Sequence, residues 1–138
     1  MTEESIAGEP PIAFASLRVM GTGLDFEGIS SSLGLSPTVT RRAGDRTALG
    51  AQPTDIWLLE SPLDKKEPLE AHLKWLRATL MPHYQFILSM RPKARVDIYC
   101  GLTLYREQNG LQLAPEALKL FVELDTPLDI SILAILPD

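Results

Sequence analysis

The sequence predicts an α+β fold, a mainly antiparallel sheet with helices packed on it. Three observations carry this. Arg95 to Gly101 alternates so that Val96, Ile98 and Cys100 share one face of a strand while Asp97 and Tyr99 share the other. Leu69, Leu73, Leu76 and Leu80 recur at helical spacing. Extended and helical stretches then interleave along a chain of 138 residues, a length that suits one domain. We expect that domain to span residues 12–138, after a disordered tail over 1–11 whose polar and proline-rich residues have nothing to bury.

Taken in order, Ile12 to Met20 reads as a strand buried on most of both faces, with bulky residues at Ile12 and Phe14 and, after a change of phase, at Leu17 and Val19. Gly21-Thr22-Gly23 invites a dinucleotide-loop reading, but Phe26 stands where the third glycine is required and Asp25 would repel the phosphate. Asp25 serves better as a helix N-cap, with Leu24 stapled onto Ile29. The helix runs to Leu33, Gly34 suits the left-handed position after it, and Pro37 forbids continuation. Residues 38–54 form a long polar connection, and irregular stretches of that length tend to be functional or disordered. Asp55 to Glu60 is a second strand. Pro68 to Met81 is the clearest helix, with Glu70 four residues before Lys74 on its exposed side. Met81-Pro82 interrupts it, and His83 to Met90 resumes helical. The strand from Arg95 is expected to be the central one, with Gly101 permitting a bend before Leu102 to Tyr105 continues extended. Asn109-Gly110 then signals a hairpin turn into Leu111 to Leu113. Pro115 to Leu124 is the last helix and Asp129 to Leu136 a closing apolar strand.

Offset by 89 positions, Leu24, Ile29 and Leu33 fall on Leu113, Leu118 and Val122. The chain therefore reads as two β-α-β halves, resembling a ferredoxin-like pseudo-duplication.

Composition limits the function. The net charge of -5 argues against a general nucleic-acid binder. Its distribution is uneven, however. Residues 38–95 carry ten basic and six acidic side chains, whereas residues 96–138 carry two and seven, so a local basic patch for an acidic ligand or partner is compatible with the sequence. No apolar run is long enough to span a bilayer, and the acidic N-terminus lacks the positive flank of a secretory signal. A cytoplasmic protein is expected, in keeping with its single cysteine. Cys100 reads as a buried core residue. His72 and His83 have no metal-ligand spacing, and Ser30-Ser31-Ser32 has no nucleophile-elbow pattern. Asp97 and Asp129 could pair only if their strands adjoin. No catalytic residue, metal site or cofactor is assigned.

Several landmarks in order resemble a known family: Ala15-Ser16-Leu17-Arg18-Val19, Leu24-Asp25 with Ile29, Leu33-Gly34-Leu35, Pro37-Thr38, Gly44-Asp45, Trp57, Val96 to Gly101, and Leu113-Ala114-Pro115-Glu116. Together they resemble the uncharacterised bacterial domain of unknown function 4279. The resemblance implies a small α+β fold and brings no established catalysis or cofactor.

Arg41, Arg42, Asp45 and Trp57 form the candidate ligand-binding constellation, because guanidinium groups bind carboxylate or phosphate in forked pairs and stack on indole. The competing account is that Asp45 and an arginine pin the loop over Trp57. The expected function is a non-enzymatic protein-binding module, with another protein as partner and neither nucleic acid nor membrane. A small anionic-ligand sensor using the Arg41/Arg42 loop is the alternative, and an enzyme of unknown type is third.

Overall fold

A computed structural model describes residues 9–107 and 109–136 of the chain. Most of the expected 1–11 tail, the Gln108 position of the expected hairpin and the last two residues lie outside the described residues. In chain order the elements are β1 (Ile12–Gly21), α1 (Phe26–Leu33), β2 (Val39–Arg41), β3 (Arg46–Thr47), β4 (Gly50–Ala51), β5 (Asp55–Glu60), α2 (Leu69–Leu80), a 3-10 turn (Met81–His83), α3 (Tyr84–Ser89), β6 (Arg95–Leu104), α4 (Pro115–Glu123) and β7 (Asp129–Ala134). The fold is mixed α+β, as expected.

Local signals are realised as read. The Asp25 carboxylate accepts the Gly28 N–H at 3.0 Å, and Gly34 closes α1 in the left-handed region at φ 66°. Leu69, Leu73, Leu76 and Leu80 are all buried. The change of phase in β1 has a packing explanation. Ala13, Ala15, Leu17 and Val19 are buried in the core, the two small residues keeping the alternation intact, while Phe14, Arg18 and Met20 lie on the other face.

The sheet order is β2-β5-β1-β6-β7. Thus β1 is the central strand, and the stretch expected there, now β6, is its neighbour. All pairings are antiparallel except β6 with β7. The ferredoxin-like pseudo-duplication is not confirmed. In a split β-α-β arrangement the two strands of a half flank a strand from the other half. Here β1 neighbours β5 antiparallel and β6 neighbours β7 parallel, so each half is contiguous and the halves differ in sense. The aligned side chains differ too: Ile29 and Leu33 are buried, Leu118 and Val122 exposed.

Other expectations are refined. Leu111 to Leu113 forms no strand. Both edges of β6 are already occupied, by β1 and β7, so the segment cannot form a hairpin with β6. Gly101 lies within the unbroken strand β6. It sits opposite Phe14, and a Cβ there would run into the phenyl ring, so the missing side chain is what lets Phe14 lie across β6. The long connection is more ordered than read: β2 pairs with β5, and β3 and β4 form a two-stranded hairpin with Leu49 fully exposed at its tip.

Alternation sorts the sheet into two faces. One presents Trp57, Leu59, Val96, Ile98 and Cys100 to the core shared with the helices. The other, here the bare face, carries Phe14, Met20, Ile56, Leu58 and Tyr99, which lie outside that core and are partly exposed.

Candidate functional site

The four residues singled out from sequence do not converge. Trp57 is 0% exposed, on the core face of β5, and its indole Nε1–H donates to Ser30 Oγ at 3.0 Å. The indole has no solvent-exposed surface there. Asp45 acts on its own turn: its carboxylate accepts the Arg42 N–H at 2.8 Å and its N–H donates to the Arg42 carbonyl at 3.0 Å, with Gly44 between them at φ 92°. That positive φ is a conformation glycine adopts without penalty.

Arg41 and Arg42 are separated by strand alternation. Arg41 stands opposite Ile56, in register with Val39 and Leu58 on the bare face of the sheet, and is exposed. Arg42 turns the other way. Its Nη1 donates to the Leu24 carbonyl at 2.7 Å and to Asp55 Oδ2 at 2.9 Å, and its guanidinium lies 3.9 Å from the centre of the Phe26 ring. The loop is pinned, but over α1 and Asp55 rather than over Trp57.

Asp55 is the residue that sequence reading missed. Its buried carboxylate accepts the N–H groups of Ala43 at 2.9 Å and Leu24 at 3.0 Å besides the Arg42 bond. The Ala43 and Leu24 bonds, with Arg42 adding to them, hold its carboxyl below the usual range. It joins the end of β1, the start of α1 and the loop. A signal existed: Asp55 is in phase with Trp57 and Leu59, and a carboxylate on a buried strand face requires partners.

The bare face has its own polar centre. Arg18 and Asp97, directly opposite on β1 and β6, form a forked pair with both N–H to oxygen distances at 2.8 Å. The Arg18 guanidinium lies 4.5 Å from the Tyr99 ring centre, and the Phe14 and Tyr99 centroids are 5.6 Å apart. Arg95 Nη2 approaches Asp97 at 3.6 Å. The strands of Asp97 and Asp129 do adjoin, yet Asp97 is engaged by Arg18 instead of pairing with Asp129. Arg18 and Met20 share phase with Phe14, the signal that could have marked this surface in the sequence.

A cleft of about 480 Å³ opens elsewhere, between the turn after β1 and α3, with Leu24, Ile29, Phe86 and Met90 among its walls and Asp25 and Lys93 as its charged residues. Neither Arg41 nor Arg42 lines it. Among the described residues no group of three or more His, Cys, Asp or Glu could hold a metal ion. Nor is any helix among them long and apolar enough to cross a membrane. Cys100 is buried, and burial, with Asp129 and Asp97 nearby, pushes its thiol up to about 12. His72 is buried with its Nδ1 2.9 Å from Ser61 Oγ.

The ordered landmarks now have structural reasons: a capped α1, a buried Trp57, the Arg18–Asp97 pair and the Ala114-Pro115 start of α4. The family model for Domain of unknown function (DUF4279) matches residues 11–134. The chain belongs to this family. The match takes in every element from β1 to β7. No curated protein matches the chain, and no solved structure matches it. As a member of DUF4279 it shares a family whose function is not described, so the functional reading rests on the surfaces above.

Proposed function

We propose that this DUF4279 chain is a non-enzymatic protein-binding module whose contact surface is the bare face of the sheet. One observation carries the proposal. Antiparallel sheets with one wet face ordinarily alternate apolar-in and polar-out, but here the outward face holds Phe14, Met20, Ile56, Leu58 and Tyr99 around the Arg18–Asp97 pair. Aromatic residues and arginine on an apolar patch with a polar margin match the composition of protein contact surfaces. Arg41 lies at the margin of this patch, a suitable place to meet an acidic residue of the partner. We propose a cytoplasmic location as well, a reading with which the free thiol agrees.

The anionic-ligand sensor reading has less support. The Arg42 guanidinium is already engaged by Asp55, the Leu24 carbonyl and Phe26, while Arg41 faces the other side of the sheet. Two guanidinium groups so divided cannot clamp one small anion.

The test is capture of a partner compared across variants. Leu58→Lys and Arg41→Glu, both on the bare face, should each abolish capture with little change in Tm, and Leu49→Ser at the hairpin tip should leave it intact. Capture of nothing, or of proteins unaffected by the face variants, would overturn the proposal.

A further inference from the structure

β7 has the composition of an interior strand but stands at the margin of the sheet. Parallel strands are ordinarily covered on both faces and read as near-continuous apolar runs. Ile130-Ser131-Ile132-Leu133-Ala134, followed by Ile135-Leu136, is such a run. Yet among the described residues β7 is outermost and pairs only with β6. Ile132 is 59% exposed and Leu133, pointing to the opposite face, 58%. Among the described residues the apolar surface is therefore open on both flanks as well as along the edge.

The edge is also prepared for pairing. The Ile135 N–H donates to the Leu104 carbonyl. Because successive N–H groups of a strand point to opposite edges, those of Ser131 and Leu133 also face β6, and those of Ile130, Ile132 and Ala134 face outward. Proteins usually blunt an exposed edge with lysine, proline or a bulge. From Ile130 to Leu136 there is no charge and no proline, and the only charge in β7 is Asp129, its first residue.

We propose that β7 is a self-association edge, pairing antiparallel with β7 of a second copy of this chain about a two-fold axis. A two-fold axis requires the antiparallel sense. That sense sets each Asp129 against the apolar end of the other strand instead of against its own copy, so no like charges meet. The occupant must be apolar on both faces to cover Ile132 and Leu133 together, and β7 itself meets this requirement. The joined sheets form one surface in which the two bare faces lie side by side. The inference is independent of the sheet-face proposal, since the edge pairs whatever that face binds.

Light scattering coupled to size exclusion should give about twice the 15.2 kDa chain mass at high protein concentration. Ile132→Lys, which places a charge in the pairing edge, and Ile132→Pro, which removes an outward N–H while leaving the β6 ladder, should each halve the observed mass without loss of the circular dichroism spectrum. If either variant fails to fold, a cysteine scan over positions 130–134 decides. Cys100 is buried, and oxidation should cross-link only the position at or next to the axis, because only there does a residue meet its own copy. A monomer at every concentration, a dimer indifferent to both Ile132 variants, or cross-linking along the whole strand would overturn the proposal. So would a wild-type monomer whose β7 binds an unrelated protein.

Discussion

In the connection from β1 to β5, Ile29 and Leu33 of α1 are buried. In the connection from β6 to β7 the residues aligned with them, Leu118 and Val122 of α4, are exposed, Val122 at 79%. The two helices share an apolar spacing and differ in which stripe is used. α4 carries a second stripe, Ala117, Leu120, Phe121 and Leu124, and this is the one in the core. Polar contacts agree with that choice. Arg77 of α2 forks onto Glu123 at 2.9 and 3.0 Å, and the Tyr84 hydroxyl donates to the same carboxylate at 2.9 Å, so Glu123 faces α2 and α3 and Val122 is turned outward. The Arg77 bonds hold the Glu123 carboxyl below its usual range. Where two stripes overlap on one helix, periodicity establishes that a helix exists but not which side of it is covered.

The largest effects should separate the two helices directly. Ile29→Ala and Leu33→Ala should each cost about 2–5 kcal/mol in urea unfolding, because each leaves a cavity in the core. Leu118→Ala and Val122→Ala should stay within about 0.5 kcal/mol, as exposed substitutions do. Equal losses at aligned positions would restore the duplicated halves that the burial pattern argues against.

A second prediction concerns how α4 is started. Glu70 has the spacing of a surface pair with Lys74, yet its carboxylate accepts the Ala114 N–H at 2.9 Å, at the N-terminal end of α4. Glu70→Ala should therefore cost about 1 kcal/mol, more than an exposed helix pair contributes, by leaving that partly buried donor unpaired. Lys74→Ala should cost almost nothing. If the two changes proved equal, the cap on α4 would not be what distinguishes it from α1, which carries its own cap in Asp25.

Acid should attack the link between β5 and α2 before it attacks the loop over α1. Burial holds the His72 imidazole below its ordinary 6.5, so the unfolded chain binds the proton more readily, and stability declines as pH falls below about 6.5. Asp55 acts lower. Its carboxyl is depressed from 3.8 by the Ala43 and Leu24 N–H bonds, so its contribution is present above that pH and is lost as pH falls further. Thermal melts against pH should show the first decline removed by His72→Gln and the second reduced by Asp55→Asn. A single decline that neither variant alters would discard this order.

The smallest effect should divide the arginines. Arg42→Gln should lower Tm slightly through its contacts with Asp55 and Phe26, and Arg41→Gln should leave Tm unchanged while weakening partner capture. The reverse pattern would return the site to the loop.

The sequence by itself determined what depends on residues a few positions apart. The Asp25 cap, the Gly34 terminus, the Leu69 to Leu80 stripe and the burial of Cys100 were all legible, because each follows from local geometry or from alternation within one strand. The family landmarks were legible for the same reason. Only the tertiary structure decided which strands became neighbours. The hairpin signal at Asn109-Gly110 is sound locally, but β7 takes the β6 edge it would need. Arg41 and Arg42 read as one patch until β2 pairs with β5 and sends them to opposite faces. Glu70 reaches an N–H 44 residues away, and Asp97 an arginine 79 residues away. Such contacts depend on strand order and on the rotation of each helix, which follow from competition among all the apolar surfaces of the chain at once.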